Sequence, residues 1–241
     1  MESMNGWREA FVSVAGALQK LPSENVPPQA YLGVLGMPGL TAYSGLARIG
    51  EPKAGETVFV SGAGGAVGSL VCQIAKLRGC RVVASAGSDE KLDWLKSVGV
   101  DAVVNYKTCG NLLEATRAAT PKGIDIYFDN VGGDHLEVAL ELARPFARFI
   151  ECGMISAYND TQPKPGPSNI IYVVGKSIRM QGCIVMNYWD MREQFRAEMT
   201  HWIKDGAIKW QETVEHGIQN APKAFLSLFS GANAGKMLVK L

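Results

Sequence analysis

The sequence predicts an α/β protein built on a doubly wound parallel sheet with helices on both faces. Short apolar segments alternate with amphipathic segments of helical periodicity between residues 57 and 152. The short segments are apolar at almost every position, which is typical of strands that helices cover on both sides. A glycine-rich turn separates the first of these segments from the helix that follows it. This alternation indicates parallel β-α units joined by right-handed crossovers.

The first 37 residues do not predict a fold of their own. They contain apolar residues such as Trp7 and Phe11, but prolines interrupt any long helix or strand. We expect this segment to dock onto the rest of the chain, or onto a domain that is absent. A short helix is predicted after it, over residues 40–49.

The first predicted strand, residues 57–61, leads into a glycine turn that opens a helix ending at Gly79. Glycine allows a backbone to approach a pyrophosphate, and free N–H groups at a helix start bind its negative charge. The strict G-x-G-x-x-G spacing fails, because Val67 stands where the third glycine should be; G-x-x-G-x-x-G from Gly62 fits. The turn predicts a nucleotide site, with a merely tight strand-to-helix turn as the alternative. The backbone offered to the pyrophosphate is that of Gly65, Ala66, Val67 and Gly68.

The chain continues this alternation and then changes character. Further strands are predicted over residues 81–86, 102–105, 124–129 and 147–152, with helices over residues 89–97, 112–119 and 134–142 between them. A proline-rich irregular stretch comes next. Beyond it we expect helices over residues 169–174, 191–204 and 221–229, and strands over residues 178–185, 212–215 and 236–241. This C-terminal part need not belong to the sheet.

Composition argues against several classes of protein. The chain has 241 residues, 47% apolar and 20% charged, and its formal net charge of +1 provides no basic field for nucleic acid or an anionic membrane. No apolar run is long enough to span a bilayer, and the first residues lack a signal-peptide pattern. The five scattered cysteines favour reduced thiols in the cytoplasm and argue against a zinc site. The three histidines lack metal-ligand spacing, and we expect surface or capping roles for them.

Ligands bind at the carboxyl ends of the strands in such sheets, so the residues after each strand are candidate site residues. After the second strand, the acid that would bind the ribose hydroxyls of NAD is missing, whereas Ser88 and Lys91 suit a 2′-phosphate. Helix capping is the alternative for Ser88. A cation in the first turn opposes the helix dipole, so Lys91 favours NADP over NAD. After the third strand, Tyr106 suits stacking near the adenine or binding of the 2′-phosphate, with ordinary packing as an equal alternative.

The ends of the fourth and fifth strands carry the next candidates. Asn130 is followed by two glycines after one intervening residue, and Gly153 suits a backbone that runs beside a ligand. Cys152 is expected to pack rather than to act as a nucleophile, because no histidine base is near it in sequence.

Taken in order, these motifs resemble the medium-chain dehydrogenase/reductase superfamily. The resemblance is carried by the glycine turn, Gly-Ser-Asp-Glu-Lys at 87–91, Asn-Tyr-Lys at 105–107, Asp-Asn-Val-Gly-Gly at 129–133 and Cys-Gly-Met-Ile-Ser at 152–156. Met-Pro-Gly-Leu-Thr-Ala-Tyr at 37–43 and Gly-Ala-Asn-Ala-Gly-Lys at 231–236 match as well, so the resemblance covers essentially the whole chain. The most similar branch is the zinc-independent one of leukotriene/prostaglandin reductases, plant 2-alkenal double-bond reductases and bacterial curcumin reductases.

This resemblance implies a Rossmann-type sheet and an NADPH-dependent reduction of a carbon–carbon double bond conjugated to a ketone or aldehyde, without a metal. Hydride would go to the β-carbon and a proton to the α-carbon. Tyr172 matches a family tyrosine that hydrogen-bonds the substrate carbonyl or enolate, and it is the candidate catalytic residue; helix packing is the alternative. Besides residues 65–68, the resemblance implies cofactor contacts by Lys91, Tyr106, Asn130, Cys152, Gly153, Met154, Ile155, Ser156, Ala157, Tyr158, Cys183, Ile184, Val185 and Asn233.

The resemblance also implies a domain organisation. Family members begin with a barrel-like catalytic domain, of which residues 1–37 would be a remnant. Residues 38–185 would form the NADP-binding domain, and residues 186–241 would pack toward the catalytic domain, whose loss we expect to impair activity. The family places a dimer contact at the strand over residues 178–185, so a homodimer is expected. A quinone reductase of the same superfamily and a non-catalytic NADPH-binding module are the alternatives.

Overall fold

The computed structural model describes residues 6–18, 20–22, 26–162 and 164–241. Its central strands are β1 Thr57–Val60, β2 Arg81–Ala86, β3 Ala102–Asn105, β4 Ile124–Asp129, β5 Ala143–Glu151 and β6 Arg179–Gly182. They form one sheet in the order β3-β2-β1-β4-β5-β6, and every neighbouring pair is parallel. The sheet is therefore doubly wound as predicted, and its order changes direction between β1 and β4.

Helices cover both faces of this sheet. Their apolar residues recur at helical spacing, which gives each helix one apolar side that packs against the sheet. The first helix continues without a break into a π-helix, Gly45–Gly50, so the predicted helix over residues 40–49 is confirmed with a change of pitch. The helices are α1 Met37–Ser44, α2 Gly68–Leu77, α3 Asp89–Ser97, α4 Leu112–Ala119, α5 Asp134–Leu142, α6 Tyr172–Gly175, α7 Arg192–Lys204 and α8 Ala221–Ser230. Within the described part of the chain, no helix is long and apolar enough to cross a membrane.

Two apolar layers hold the helices against the sheet. Ile126 and Phe128 of β4 face the layer that contains α1 and α2, whereas Tyr127 faces the layer that contains α5. This division follows from the two-residue period of a strand. In the second layer, Phe59 and Tyr127 stack with ring centroids 5.4 Å apart. Burial of one such large apolar side chain contributes roughly 1.5–3 kcal/mol.

The end of the N-terminal segment packs onto this core, which agrees with the expectation that the segment docks onto the rest of the chain. Tyr31, Val34 and Leu35 are buried in the layer that contains α1. Residues 1–5, 19 and 23–25 of the predicted segment 1–37 lie outside the described residues.

The C-terminal part contacts the same layer and adds a small second sheet. Its strands, β7 Glu212–His216 and β8 Lys236–Lys240, pair in parallel. Phe195 of α7 packs against Tyr43 of α1 with ring centroids 5.7 Å apart. The Tyr43 hydroxyl donates a hydrogen bond of 2.7 Å to Glu198 Oε1. The helix that carries these contacts begins one residue later than predicted.

Two predicted strand bounds were wrong. The strand predicted over residues 178–185 ends at Gly182, because its neighbour β5 ends at Glu151, which pairs with Gly182, and no ladder partner remains beyond that pair. β5 begins at Ala143 rather than at residue 147, because the chain returns to the sheet directly after α5. The register of β4 and β5 shifts near this start.

Candidate functional site

The segments singled out after each strand meet at one edge of the structure. Parallel strands place all their carboxyl ends at the same edge of the sheet, so the segments that follow β1 to β6 lie side by side. The change of strand order between β1 and β4 opens a crevice there. The candidate site is this edge, with the glycine turn at residues 62–68 in its middle.

The glycine turn is shaped by contacts that a side chain would prevent. A Cβ added at Gly68 would lie 2.6 Å from Gly62 O and 2.7 Å from Ala63 Cα, both backbone atoms. Gly62 itself has a φ of +59°, which favours glycine. Among the described residues, the backbone N–H groups of Val67 and Gly68 find no backbone or side-chain acceptor, whereas that of Ala66 faces Gly235 O in the bridge between Gly65 and Gly235. These groups stand at the start of α2, so the turn presents free donors to an anion.

A second set of groups stands beside the turn. The side chain of Lys91 covers Gly64, because a Cβ added at Gly64 would lie 2.7 Å from Lys91 Cδ. Lys91 Nζ donates to Gly231 O at 2.6 Å. Burial, followed by the charge of Lys107, lowers the pKa of Lys91. Lys91 and Lys107 are neighbouring cations, and neither forms an ion pair with an acid in the described part of the chain. Their combined positive charge favours binding of an anion.

Ser88 and Tyr106 belong to the same corner. Ser88 occupies the N-cap position of α3, but its hydroxyl makes no capping hydrogen bond, so the capping alternative is not realised through its side chain. The Tyr106 hydroxyl and Lys107 lie close to Gly87, where an added Cβ would be 2.7 Å from Tyr106 Oη. The nearby acid Asp89 accepts a hydrogen bond of 2.7 Å from Asn105. The arrangement fits the 2′-phosphate of NADP.

The loops after β4 and β5 form the other side of the edge and are bonded to each other. Asn130 Nδ2 donates to Ser61 O at 2.8 Å, which ties the first loop to the end of β1. Ile155 N donates to Asn130 O at 3.3 Å, and Ser156 Oγ donates to Val131 O at 2.6 Å. The predicted contact residues Gly153, Met154, Ala157 and Tyr158 lie in the same loop, and Met154, Ala157 and Tyr158 are exposed.

Cys152 and Cys183 lie at the ends of β5 and β6. Burial raises the pKa of Cys152 to about 12 and that of Cys183 to about 11. Both thiols are therefore protonated near neutral pH and are poor nucleophiles, in agreement with the packing role expected for Cys152. The two residues after Cys183 complete the predicted contact set: Ile184 is exposed and Val185 is half-buried.

The C-terminal loop before β8 reaches the glycine turn. Gly235 N donates to Gly64 O at 3.0 Å. Within this loop, Asn233 Nδ2 donates to Gly235 O at 2.8 Å. Together with the bond from Lys91 to Gly231, these contacts bring Asn233 to the candidate site, although it is 165 positions after Gly68 in sequence.

Tyr172 is the one predicted site residue that the chain does not bring to this edge. Its hydroxyl interacts with Glu141 near the end of α5, and this bond raises the pKa of Tyr172. Lys176 Nζ lies 4.4 Å from the centre of the Tyr172 ring. α5 runs from the carboxyl ends of the strands to their amino ends, so Tyr172 lies at the opposite edge of the sheet. Its catalytic role stays a prediction.

The expectation of surface or capping histidines was wrong for His135. This residue is 5% exposed, and its Nε2 lies 2.9 Å from Ser85 Oγ. Burial lowers the pKa of His135, and Tyr106 packs edge-on against its ring at 5.2 Å. The sequence contained a signal, because His135 shares the helical spacing of the apolar residues Val138, Ala139 and Leu142. His201 and His216 are exposed. Among the described residues, no group of three or more potential ligands could hold a metal.

Comparisons with known proteins place this site in context. The zinc-binding dehydrogenase family matches residues 66–205. Prostaglandin reductase 1 of Bos taurus is 46% identical over 98% of this chain and 73% of its own length. The NADP(+)-dependent 2-alkenal reductase of Nicotiana tabacum is 45% identical over 98% of this chain and 69% of its own length. The crystal structure of CurA from Vibrio vulnificus in complex with NADPH superposes with a TM-score of 0.91 at 41% identity, over 98% of this chain and 72% of that one.

Proposed function

Since this chain belongs to the medium-chain dehydrogenase/reductase superfamily, in its zinc-independent reductase branch, we propose that it reduces the conjugated carbon–carbon double bond of α,β-unsaturated ketones or aldehydes with NADPH. Relatives named prostaglandin reductase and 2-alkenal reductase support this substrate class. We assign cofactor binding to residues 38–185, assisted by the loop over residues 231–235, which belongs to the C-terminal segment 186–241.

The observation that carries the proposal is the cluster of anion-binding groups around the glycine turn. The turn offers the backbone N–H groups of Val67 and Gly68 without an acceptor among the described residues, and these suit a pyrophosphate. Lys91 and Ser88 stand beside it and suit the 2′-phosphate that distinguishes NADP from NAD. The residues present therefore fit the cofactor.

When bound, NADPH supplies the hydride that a conjugated double bond accepts at its β-carbon. The chain's own residues bind and orient the reactants. The loops after β4 and β5, braced by Asn130 and Ser156, form a wall at the carboxyl edge. A substrate held against that wall needs a hydrogen-bond donor at its carbonyl oxygen, where negative charge develops. Cys152 and Cys183 do not act as nucleophiles there, because burial keeps their thiols protonated.

The proposed role of Tyr172 requires a second copy of the chain. β6 is an edge strand of the sheet, and it is mostly exposed. Antiparallel pairing of two copies of β6 around a twofold axis would place the amino end of one beside the carboxyl end of the other. Tyr172, which precedes β6, would then approach Cys183 and Ile184 of the second copy. We propose a homodimer of this kind, located in the cytoplasm, where the five free thiols stay reduced.

The test is a titration with NADPH and NADH, followed by NADPH consumption with a panel of enones, enals and quinones. We expect tighter binding of NADPH than of NADH and turnover of enones or enals. Turnover restricted to quinones would contradict the substrate class. Tight NADPH binding with no turnover of any substrate would contradict the catalytic proposal and leave a cofactor-binding module. The mass of the protein in solution tests the dimer, because a monomer at micromolar concentration would contradict it.

A further inference from the structure

Two acids at the candidate site, the buried Asp129 and the half-buried Glu151, have no part in the function proposed so far. Asp129 ends β4 and Glu151 ends β5, and the two residues are direct partners in the ladder. Partners in register point to the same face of a sheet, so the two carboxyl groups lie side by side. The negative charge of Asp129 acts on the protonation of Glu151. Both Glu151 oxygens and Asp129 Oδ2 are fully buried.

The two carboxyl groups differ in the donors that reach them. Asp129 Oδ1 accepts hydrogen bonds of 2.8 Å from Ser61 Oγ, Val131 N and Gly132 N. Among the described residues, Asp129 Oδ2 and both Glu151 oxygens have no donor. With both acids ionised, these three oxygens would face one another unsatisfied, which is costly in a buried site. One proton on Glu151 creates the missing donor for Asp129 Oδ2.

The surroundings supply no positive charge that would replace this proton. None of the ion pairs in the described part of the chain includes Asp129 or Glu151. β6 places Gly182 opposite Glu151. The other groups that interact with the pair are Ser61 of β1, Tyr127 of β4, the neutral His135 of α5 and the Cys152 thiol. Burial, followed by the negative charge of Asp129, raises the pKa of Glu151 to about 8.

We infer that Glu151 and Asp129 share one proton, and that this proton makes Glu151 a positioning residue for cofactor binding. The inference rests on the proposed NADPH site. Asp129 holds the loop after β4 through Val131 and Gly132, and this loop braces the wall through Asn130 and Ser156. Loss of the proton places two like charges beside each other and pushes Asp129 away from the loop amides that it holds.

The experiment compares the pH dependence of NADPH affinity in the natural protein and in Glu151→Gln. Glutamine keeps the size and a hydrogen-bond donor but cannot lose a proton in this range. If only the protonated pair binds, the natural protein loses up to about 30-fold of affinity between neutral pH and about pH 9.5, relative to Glu151→Gln. Glu114→Gln, an exposed acid on α4, is the matched control and should keep the natural profile. Identical profiles for the natural protein and Glu151→Gln would overturn the inference.

A second readout uses the cofactor-free protein. The folded chain, with the raised pKa of Glu151, binds more protons than the unfolded chain between about pH 4.5 and about pH 8. The stability of the natural protein must therefore fall relative to Glu151→Gln as the pH rises through this window, and then level off. A constant difference across the window would overturn the inference. If neither protein bound NADPH at any pH, the proposed function and the positioning role would fail, and this second comparison would still decide whether the two acids share a proton.

Discussion

Replacing Lys91 by methionine removes a charge from the candidate site and keeps most of the side chain that covers Gly64. The ammonium of Lys91 has three donors, and one of them goes to Gly231 O. Two donors therefore remain for the 2′-phosphate of NADPH. A hydrogen bond between charged groups contributes about 1.5–3 kcal/mol. The dissociation constant for NADPH should rise about 10- to 150-fold. That for NADH, which lacks this phosphate, should rise less than about threefold.

The assay is a titration of both cofactors followed by fluorescence or calorimetry. Lys96→Met is the matched control, because Lys96 is an exposed cation on the same helix, α3, and pairs with Asp93. It should leave both affinities unchanged. Equal losses of NADPH and NADH affinity in Lys91→Met would refute the reasoning, since they would mean that Lys91 acts through packing alone.

Gly68→Ala should destabilise the protein by about 1–3 kcal/mol and weaken NADPH binding at least about tenfold, because the added Cβ would meet backbone atoms. Gly166→Ala is the control and should have neither effect, because the space around Gly166 is open. His135→Gln should reduce the loss of melting temperature as the pH drops below about 6.5. Burial lowers the pKa of His135, so in acid the unfolded chain binds a proton on this residue more readily than the folded chain. An unchanged slope would contradict the buried, neutral state of His135. Glu56→Gln should lower the free energy of unfolding by about 1–2 kcal/mol near neutral pH. It replaces one of the two carboxylate oxygens that accept hydrogen bonds of 2.9 and 2.6 Å from Arg148, and it removes the negative charge. Burial alone would raise the pKa of Glu56, but the hydrogen bonds from Arg148 and from the Lys53 N–H outweigh burial and lower it. The difference in stability between the natural protein and Glu56→Gln should therefore vanish as the pH falls below about 4.5. A difference that persisted in acid would show that the Glu56 charge does not cause it.

The strands and helices of the sheet could be predicted from the sequence because their local signals agree with one another. The glycine turn, the alternation of apolar segments and the helix bounds at Gly79 and Ser88 all favour one doubly wound arrangement. Since parallel strands bring their carboxyl ends together, the same local signals also predict the edge at which Lys91, Asn130 and Gly153 lie.

Features that depend on side chains from distant segments could not be predicted. The partner of His135 is Ser85, fifty residues earlier, and no local spacing indicates that contact. The pairing of Asp129 with Glu151 depends on the register of two strands, which periodicity does not fix. Only the family resemblance indicates a site role for Tyr172, and the topology of a single chain places this residue at the other edge of the sheet. The end of β6 depended on the length of its neighbour β5.

We propose that this chain holds NADPH at the carboxyl edge of the sheet and reduces a conjugated double bond. The most direct test of this proposal supplies NADPH that carries deuterium at the nicotinamide carbon from which hydride leaves, together with an enone. We predict that deuterium appears at the β-carbon of the saturated product, as read by mass spectrometry and NMR, and that Lys91→Met reduces this transfer at limiting NADPH. Deuterium at the carbonyl carbon, or an enone returned without deuterium while NADPH is bound, would contradict the account.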